Sequence, residues 1–296
     1  MNIFFMQSKK KFNIIYFALS LLITIGLQSP LQAINVSVND IEEAFYLMIK
    51  YNDVKKIKKL NPSMVNLQAQ DDFGYTPLHW ACVHNAIDVA KLFILKGCNI
   101  HTKNNDDWSL LHTTAGNNSL ELVKLLIQKG VNIENKDNFG KTPLNSAVCT
   151  HAIETVKFLI DAGADVNAQD NTHATPLLCL SVYLEPIELA QMLIDAGAHV
   201  NFTNDYGYSP LSMAVSFDSI EVAQLLIDKG AFVNSSSLLN DCKSKKMYNL
   251  ITENDSLQKI IKSREGYQEF HSFSSKKAIR KFIILHTKKC NKKILS

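Results

Sequence analysis

The most inviting chemistry in the chain lies in DFGYTPLHWA, from Asp72 to Ala81. A histidine beside a tryptophan, one turn after a glycine-containing loop, could serve as a general base if an acid or nucleophile stood within reach. The other histidines are scattered, and no pair sits at i, i+4 beside a carboxylate as a zinc site would need. Cys82, Cys98, Cys149, Cys179, Cys242 and Cys290 show no CxxC and no disulfide-like spacing. Most of them read as small buried side chains. Acids such as Asp71, Asp72, Asp106 and Asp107 could hold a cation weakly, but acids in turns more often solvate the turn or cap a helix. The chain lacks GxGxxG, the P-loop pattern, HExxH and GxSxG. No catalytic residue, metal or cofactor is expected.

The stretch is not unique, and that settles how it is read. DFGYTPLHWA is followed by DDWSLLHTTA, NFGKTPLNSA, NTHATPLLCL and DYGYSPLSMA. Leu78, Leu111, Leu144, Leu177 and Leu211 are spaced 33, 33, 33 and 34 residues apart. Gly97, Gly130, Gly163, Gly197 and Gly230 keep a matching step at the ends of LFILKG, LLIQKG, FLIDAG, MLIDAG and LLIDKG. Each unit carries its own helix signals. Thr76, Thr142, Thr175 and Ser209 can cap a helix that the following proline starts, and the late glycine fits a left-handed C-terminal cap. Asn85, Asn118, His151 and Asp218 stand where the chain between two helices calls for positive φ. Apolar residues such as Val89, Leu92 and Phe93, or Val123, Leu125 and Leu126, recur on one helix face, which only stacking of neighbours can bury.

The pattern D-x-x-G-x-T-P-L-H, a second helix with V-x-x-L-L, a glycine and then A-D-V-N resembles the ankyrin repeat family, most closely in GADVNAQD at 163–170. The resemblance implies an all-α solenoid of helix-turn-helix units with β-turn tips and degenerate capping repeats at both ends. Five repeats would span 72–234, about 72–104, 105–137, 138–170, 171–204 and 205–234. Residues 34–71 and 235–263 would be the eroded caps, with Asn39 and Glu42 suggesting a capping box in the first. In the family the histidine matching His79 bonds the threonine of its own turn and nearby backbone, so His79 and His112 are expected to be structural. The second repeat departs from the pattern at Asp107 and Leu110, and the fourth at His173 and Leu180 with one extra residue near 183–186. A non-glycine at a left-handed turn position costs about 1 kcal/mol.

The two ends of the chain differ from its body. Residues 1–33 join Lys9, Lys10 and Lys11 to an apolar run and end on QSPLQA, the pattern of an export signal cleaved after Ala33. The alternative is an uncleaved membrane anchor over 12–28. Residues 34–240 hold 14 Lys against 23 Asp plus Glu, while 241–296 hold 14 Lys plus Arg against 5 acids. The body is acidic and the tail basic. Residues 264–296 suit a basic helix, favoured as packing on the end of the stack, with an anionic membrane surface as the other use.

What remains for function is a surface. Phe73, Asp106, Phe139, Thr172 and Tyr206 would align at the turn tips, with Tyr75, Trp108, Lys141, Ala174 and Tyr208 in the next row. His84, Asn117, Thr150, Tyr183 and Phe217 would align on the first helices. From these rows Phe73, Tyr75, His84, Asp106, Trp108, Phe139, Tyr183, Tyr206, Tyr208 and Phe217 are the candidate partner-binding residues. Aromatic rings beside acids suit a protein partner with a basic segment and disfavour nucleic acid. Family members bind through the tips and the adjoining concave helix face, so the resemblance implies a non-enzymatic interaction module. Arginine appears only at Arg264 and Arg280 while Lys, Asn and Ile abound, a bias suited to an AT-rich, host-associated bacterium. An exported effector acting on a host protein is the specific expectation. A membrane-associated envelope scaffold is the alternative.

Overall fold

A computed structural model describes residues 38–60, 65–180, 187–233 and 238–262. The export or anchor segment, Tyr183 and the tail from 264 lie outside them. Among the described residues there are thirteen α-helices and no strand beyond one isolated bridge, Lys103 with Ser109. No described helix is long and apolar enough to cross a membrane. The all-α repeat organisation expected from the sequence is the one the chain adopts. The helices divide between Asp165 and Val166 into two compact units.

The first unit holds α1 (Val38–Lys50), α2 (Val54–Lys59), α3 (Pro77–Val83), α4 (Ile87–Leu95), α5 (Leu110–Gly116), α6 (Leu120–Gln128), α7 (Pro143–Cys149) and α8 (Ile153–Asp161). The second holds α9 (Pro176–Leu180), α10 (Ile187–Asp195), α11 (Pro210–Ser216), α12 (Ile220–Asp228), a 3-10 turn at Leu239–Asp241 and α13 (Lys245–Lys262). Asn39 lies inside α1, not ahead of it as a capping box would require.

Each first helix starts where the sequence says. Thr76, Ser109, Thr142 and Ser209 are extended, and their hydroxyls accept the backbone N–H three residues on. Such a cap is worth about 1 kcal/mol. The chain turns between helices through left-handed Asn85, Asn118, His151 and Asp218, and also Asn52 in the eroded first repeat. Two of these asparagines do more than tolerate positive φ. Asn52 Oδ1 accepts the Val89 N–H at 3.0 Å at the start of α4, and Asn118 Oδ1 accepts the Thr155 hydroxyl at 2.8 Å on α8. Each therefore ties its joint to the next repeat.

The core of the first unit is built from Leu78, Val89 and Phe93, then Leu111, Val123 and Leu126, then Leu144, Val156 and Leu159, all essentially sealed from water. Burying one such side chain stabilises by roughly 1.5–3 kcal/mol. Phe45 of α1 lies 6.0 Å from Phe93, so the eroded repeat covers an apolar face that would otherwise meet solvent. In the second unit Leu211, Val222 and Leu226 fill the equivalent places, and Met247 and Ile251 of α13 are fully buried. Leu180, which replaces the small residue of the pattern, is buried at the last described position of α9.

The left-handed turn position of each tip is filled by Gly74, Asp107, Gly140, His173 and Gly207, all at positive φ. Asp107 and His173 thus occupy the glycine place, as their departure from the pattern implies. Gly74 has a second constraint: a Cβ there would lie 2.7 Å from the Asn105 backbone nitrogen, whereas Gly207 faces open space. Gly207→Ala should cost about 1 kcal/mol from φ alone, and Gly74→Ala about 2 to 4 kcal/mol. Urea unfolding of the two variants checks this, and equal costs would refute the close-approach argument.

Candidate protein-binding surface

The tips are set by one repeated side chain. Asp71, Asn104, Asp137, Asp170 and Asn204 stand at repeat spacing, and each offers one Oδ1 to two backbone N–H groups, two and four residues on. For Asp71 the donors are Phe73 at 3.0 Å and Tyr75 at 2.8 Å. For Asp137 they are Phe139 at 2.9 Å and Lys141 at 2.8 Å. Asn204 takes Tyr206 at 3.1 Å and Tyr208 at 3.0 Å. The turn is therefore folded around an oxygen of its own chain.

Within the first unit the tips are also joined to one another. The Asn105 N–H donates to the Phe73 carbonyl and the Asn138 N–H to the Asp106 carbonyl, each at 3.0 Å. Asn105 Nδ2 adds a bond to the Asp72 carbonyl at 2.9 Å, and Asn138 Nδ2 one to the Asn105 carbonyl at 3.1 Å. On this stitched edge Phe73 is 69% exposed and Phe139 62%, with Asp72 and Asp106 open to water beside them. Two phenyl rings that burial could have claimed instead stand in solvent.

Tyr75 and Trp108 do not stand free in the same way. Both are half-buried. Trp108 Nε1 donates to Asp137 Oδ2 at 3.0 Å, so the ring leans on the next repeat. Tyr75 packs 5.1 Å from Trp80, whose Nε1 donates to Asp71 Oδ2 at 2.9 Å. Trp80 in turn lies 5.1 Å from Tyr46 in an edge contact and 5.9 Å from a stacked His84. His84 Nε2 and the Tyr46 hydroxyl close the group at 2.9 Å. His84 is thus held in an aromatic cluster whose centre, Trp80, the row-by-row reading missed. The available clue was the eroded first repeat, which brings Tyr46 against α3.

In the second unit Tyr206 is 71% exposed and Tyr208 45%. The Asp205 N–H donates to the Thr172 carbonyl at 3.0 Å, and His173 Nδ1 lies 2.8 Å from Asp205 Oδ1, so these two tips are also joined. Phe217 is half-buried with the Lys243 ammonium 5.5 Å from its ring centre. Tyr183 lies outside the described residues.

The histidines of the pattern are interior struts. His79 Nδ1 accepts the Thr76 N–H at 3.2 Å and stands 2.9 Å from its hydroxyl, and His112 does the same with Ser109. With Nδ1 accepting, Nε2 carries the proton, and in His112 it donates to the Lys141 carbonyl at 2.9 Å. In His79 that nitrogen is sealed from water without a well-formed partner. Burial pushes the His79 imidazole down to about 4, against smaller upward pulls from the Trp108 carbonyl and Asp71. It pushes His112 down as well. Asn145 Oδ1 takes the same place for Thr142, at 3.0 Å from its nitrogen and 2.8 Å from its hydroxyl, and Ser212 Oγ accepts the Ser209 N–H at 2.8 Å.

Among the described residues no three metal-ligating side chains converge, and the turn acids are engaged in the folds just described. Cys82 and Cys98 are buried, and Cys149, Cys179 and Cys242 are half-buried. Burial pushes the Cys82 thiol up to about 12, which leaves it without nucleophilic thiolate near neutrality.

A family model for ankyrin repeats matches the chain in three overlapping copies, at residues 18–104, 84–170 and 169–237. Its first copy begins inside the apolar run read as an export signal or anchor. No curated protein matches the chain.

Since the folded chain holds His79 neutral to about pH 4 and the unfolded chain only to about 6.5, the unfolded state takes up protons first as pH falls. Stability present above pH 6.5 should shrink by roughly 2–3 kcal/mol between pH 7 and 4.5 from His79 alone. Replacing His79 and His112 by Asn, the residue that does this work at 145, should keep the caps and flatten that slope. Urea titrations at the two pH values check it, and an unchanged slope in the double variant would refute the assignment.

Proposed function

The chain belongs to the ankyrin repeat family, whose repeats are generally protein–protein interaction modules, and on that footing we propose that it is a non-enzymatic exported protein that grips a partner protein through its turn tips and first helices. The observation that carries this reading is the exposure of Phe73, Phe139, Tyr206 and Tyr208 on backbone that is already fixed. An aromatic ring on a rigid support loses little entropy on binding and fills a partner's pocket well, which is the usual make-up of a hot spot. The open carboxylates of Asp72 and Asp106 beside the phenyl rings favour a basic segment in that partner and disfavour nucleic acid.

The compartment follows from the sequence ends and composition. A basic start, an apolar run and a small residue at Ala33 support export, and the Lys-, Asn- and Ile-rich composition supports an origin in a host-associated bacterium. The partner in this reading is a host protein.

Affinity capture from host-cell extract should separate the tips from the interior. Phe73→Ala with Phe139→Ala, and Tyr206→Ala with Tyr208→Ala, remove exposed rings without touching a cap or core contact. At least one pair should weaken capture of the same protein tenfold or more while thermal unfolding stays unchanged. Full retention by a chain carrying all four substitutions would move the function off the tips.

A further inference from the structure

The side of the first unit formed by α2 and α4 carries a groove of about 680 Å³, lined in part by Tyr51, Val54, Lys55, Lys58, Lys91 and Leu95. It lies on the second-helix side of the repeats, away from the tip residues described above. Two of its features are out of pattern. Leu95 is 84% exposed, although the last residue of the four later second helices is Gln128, Asp161, Asp195 and Asp228. Tyr51 is 63% exposed on the other rim. Leu95 and Tyr51 together make an exposed apolar patch that no described residue covers.

The charge around it is basic on balance, since Lys55, Lys58 and Lys91 face Asp53 and Asp88, and Asp53 already has Lys56 as its partner. Asp53 accepts the Lys56 N–H and lies 3.1 Å from the Lys56 ammonium. Asp88 accepts the neutral Asn52 amide at 3.0 Å and keeps its negative charge. Lys91 reaches Glu121 only at 3.8 Å, across an exposed gap. Lys55 and Lys58 pair with no carboxylate among the described residues. The groove thus presents an apolar strip of Tyr51, Val54, Leu92 and Leu95 with a modest excess of ammonium groups over carboxylates. Neither end of the chain suits it, because residues 1–33 carry three lysines and no acid, and 241–296 carry 14 basic residues against 5 acids.

We propose that this groove is a second docking surface, for an acidic segment of a partner protein that carries a bulky apolar side chain. The apolar side chain sits between Tyr51 and Leu95, over Val54 and Leu92, and flanking carboxylates meet Lys55, Lys58 and Lys91. The apolar contact gives affinity and the lysines give orientation and speed of encounter.

The test uses the full chain and a fluorescein-labelled 14-residue peptide of glutamates with leucine at every fourth place, read by anisotropy at low salt. Saturable binding is expected. Leu95→Gln, which installs the residue of the next repeat, should weaken it roughly tenfold, and Lys55→Glu with Lys58→Glu should weaken it further. Phe73→Ala with Phe139→Ala should leave it unchanged. Binding that is absent, or that survives both groove variants, overturns the proposal. So does equal binding of a peptide with serine for leucine, or of anionic vesicles with the same variant sensitivity, since either would make the groove a charge patch only.

Discussion

One oxygen per repeat holds the turn tips of this molecule in shape. The Oδ1 of Asp71, Asn104, Asp137, Asp170 or Asn204 takes two backbone N–H groups of its own turn. With those donors held, the turn can present its next residues outward without unpaired backbone. The hydroxyl cap a few residues later then starts the first helix in a fixed direction. Tip and helix are therefore positioned by two short-range polar contacts, and stacking of Leu, Val and Phe side chains carries that arrangement from one repeat to the next within each unit.

The same interaction changes the electrostatic picture. Acids that a sequence reading counts as surface charge are partly spent inside the turns. Asp71 and Asp137 each accept a tryptophan N–H with the second oxygen, so neither is free to meet a partner. What faces outward is Asp72 and Asp106 beside two phenyl rings. The lysine-bearing groove of α2 and α4 is a separate surface of opposite character within the same unit. On the proposals made above, an acidic aromatic edge and a basic apolar groove would let one module hold two unlike segments at once.

Most of the fold was legible because its determinants are local. Thr76 and Pro77, the glycines after each second helix, and Asn85 or Asn118 at positive φ each act within a few residues, so a single sequence displays them. The rings were not legible to the same degree. Whether Trp108 points outward depends on Asp137, 29 residues away, and the place of His84 depends on Tyr46, 38 residues away. Phe73 and Phe139 stay exposed because no such partner reaches them among the described residues. Leu95 was visible as a departure from the later repeats, but its meaning needed the groove that α2 forms beside it. The role of Asn145 as a stand-in for histidine likewise needed the cap geometry.

The most direct test of a preformed tip is amide hydrogen exchange in the full chain, read at Phe73, Tyr75, Phe139 and Lys141. Their side chains are exposed or half-buried, yet their N–H groups are bound to Asp71 and Asp137. Exchange slowed by roughly a hundredfold or more relative to a free chain, and released at Phe139 and Lys141 by Asp137→Ala, is the expected result. Exchange at the free-chain rate in the unaltered protein would mean that the tips are mobile, and that no rigid aromatic edge exists before a partner arrives.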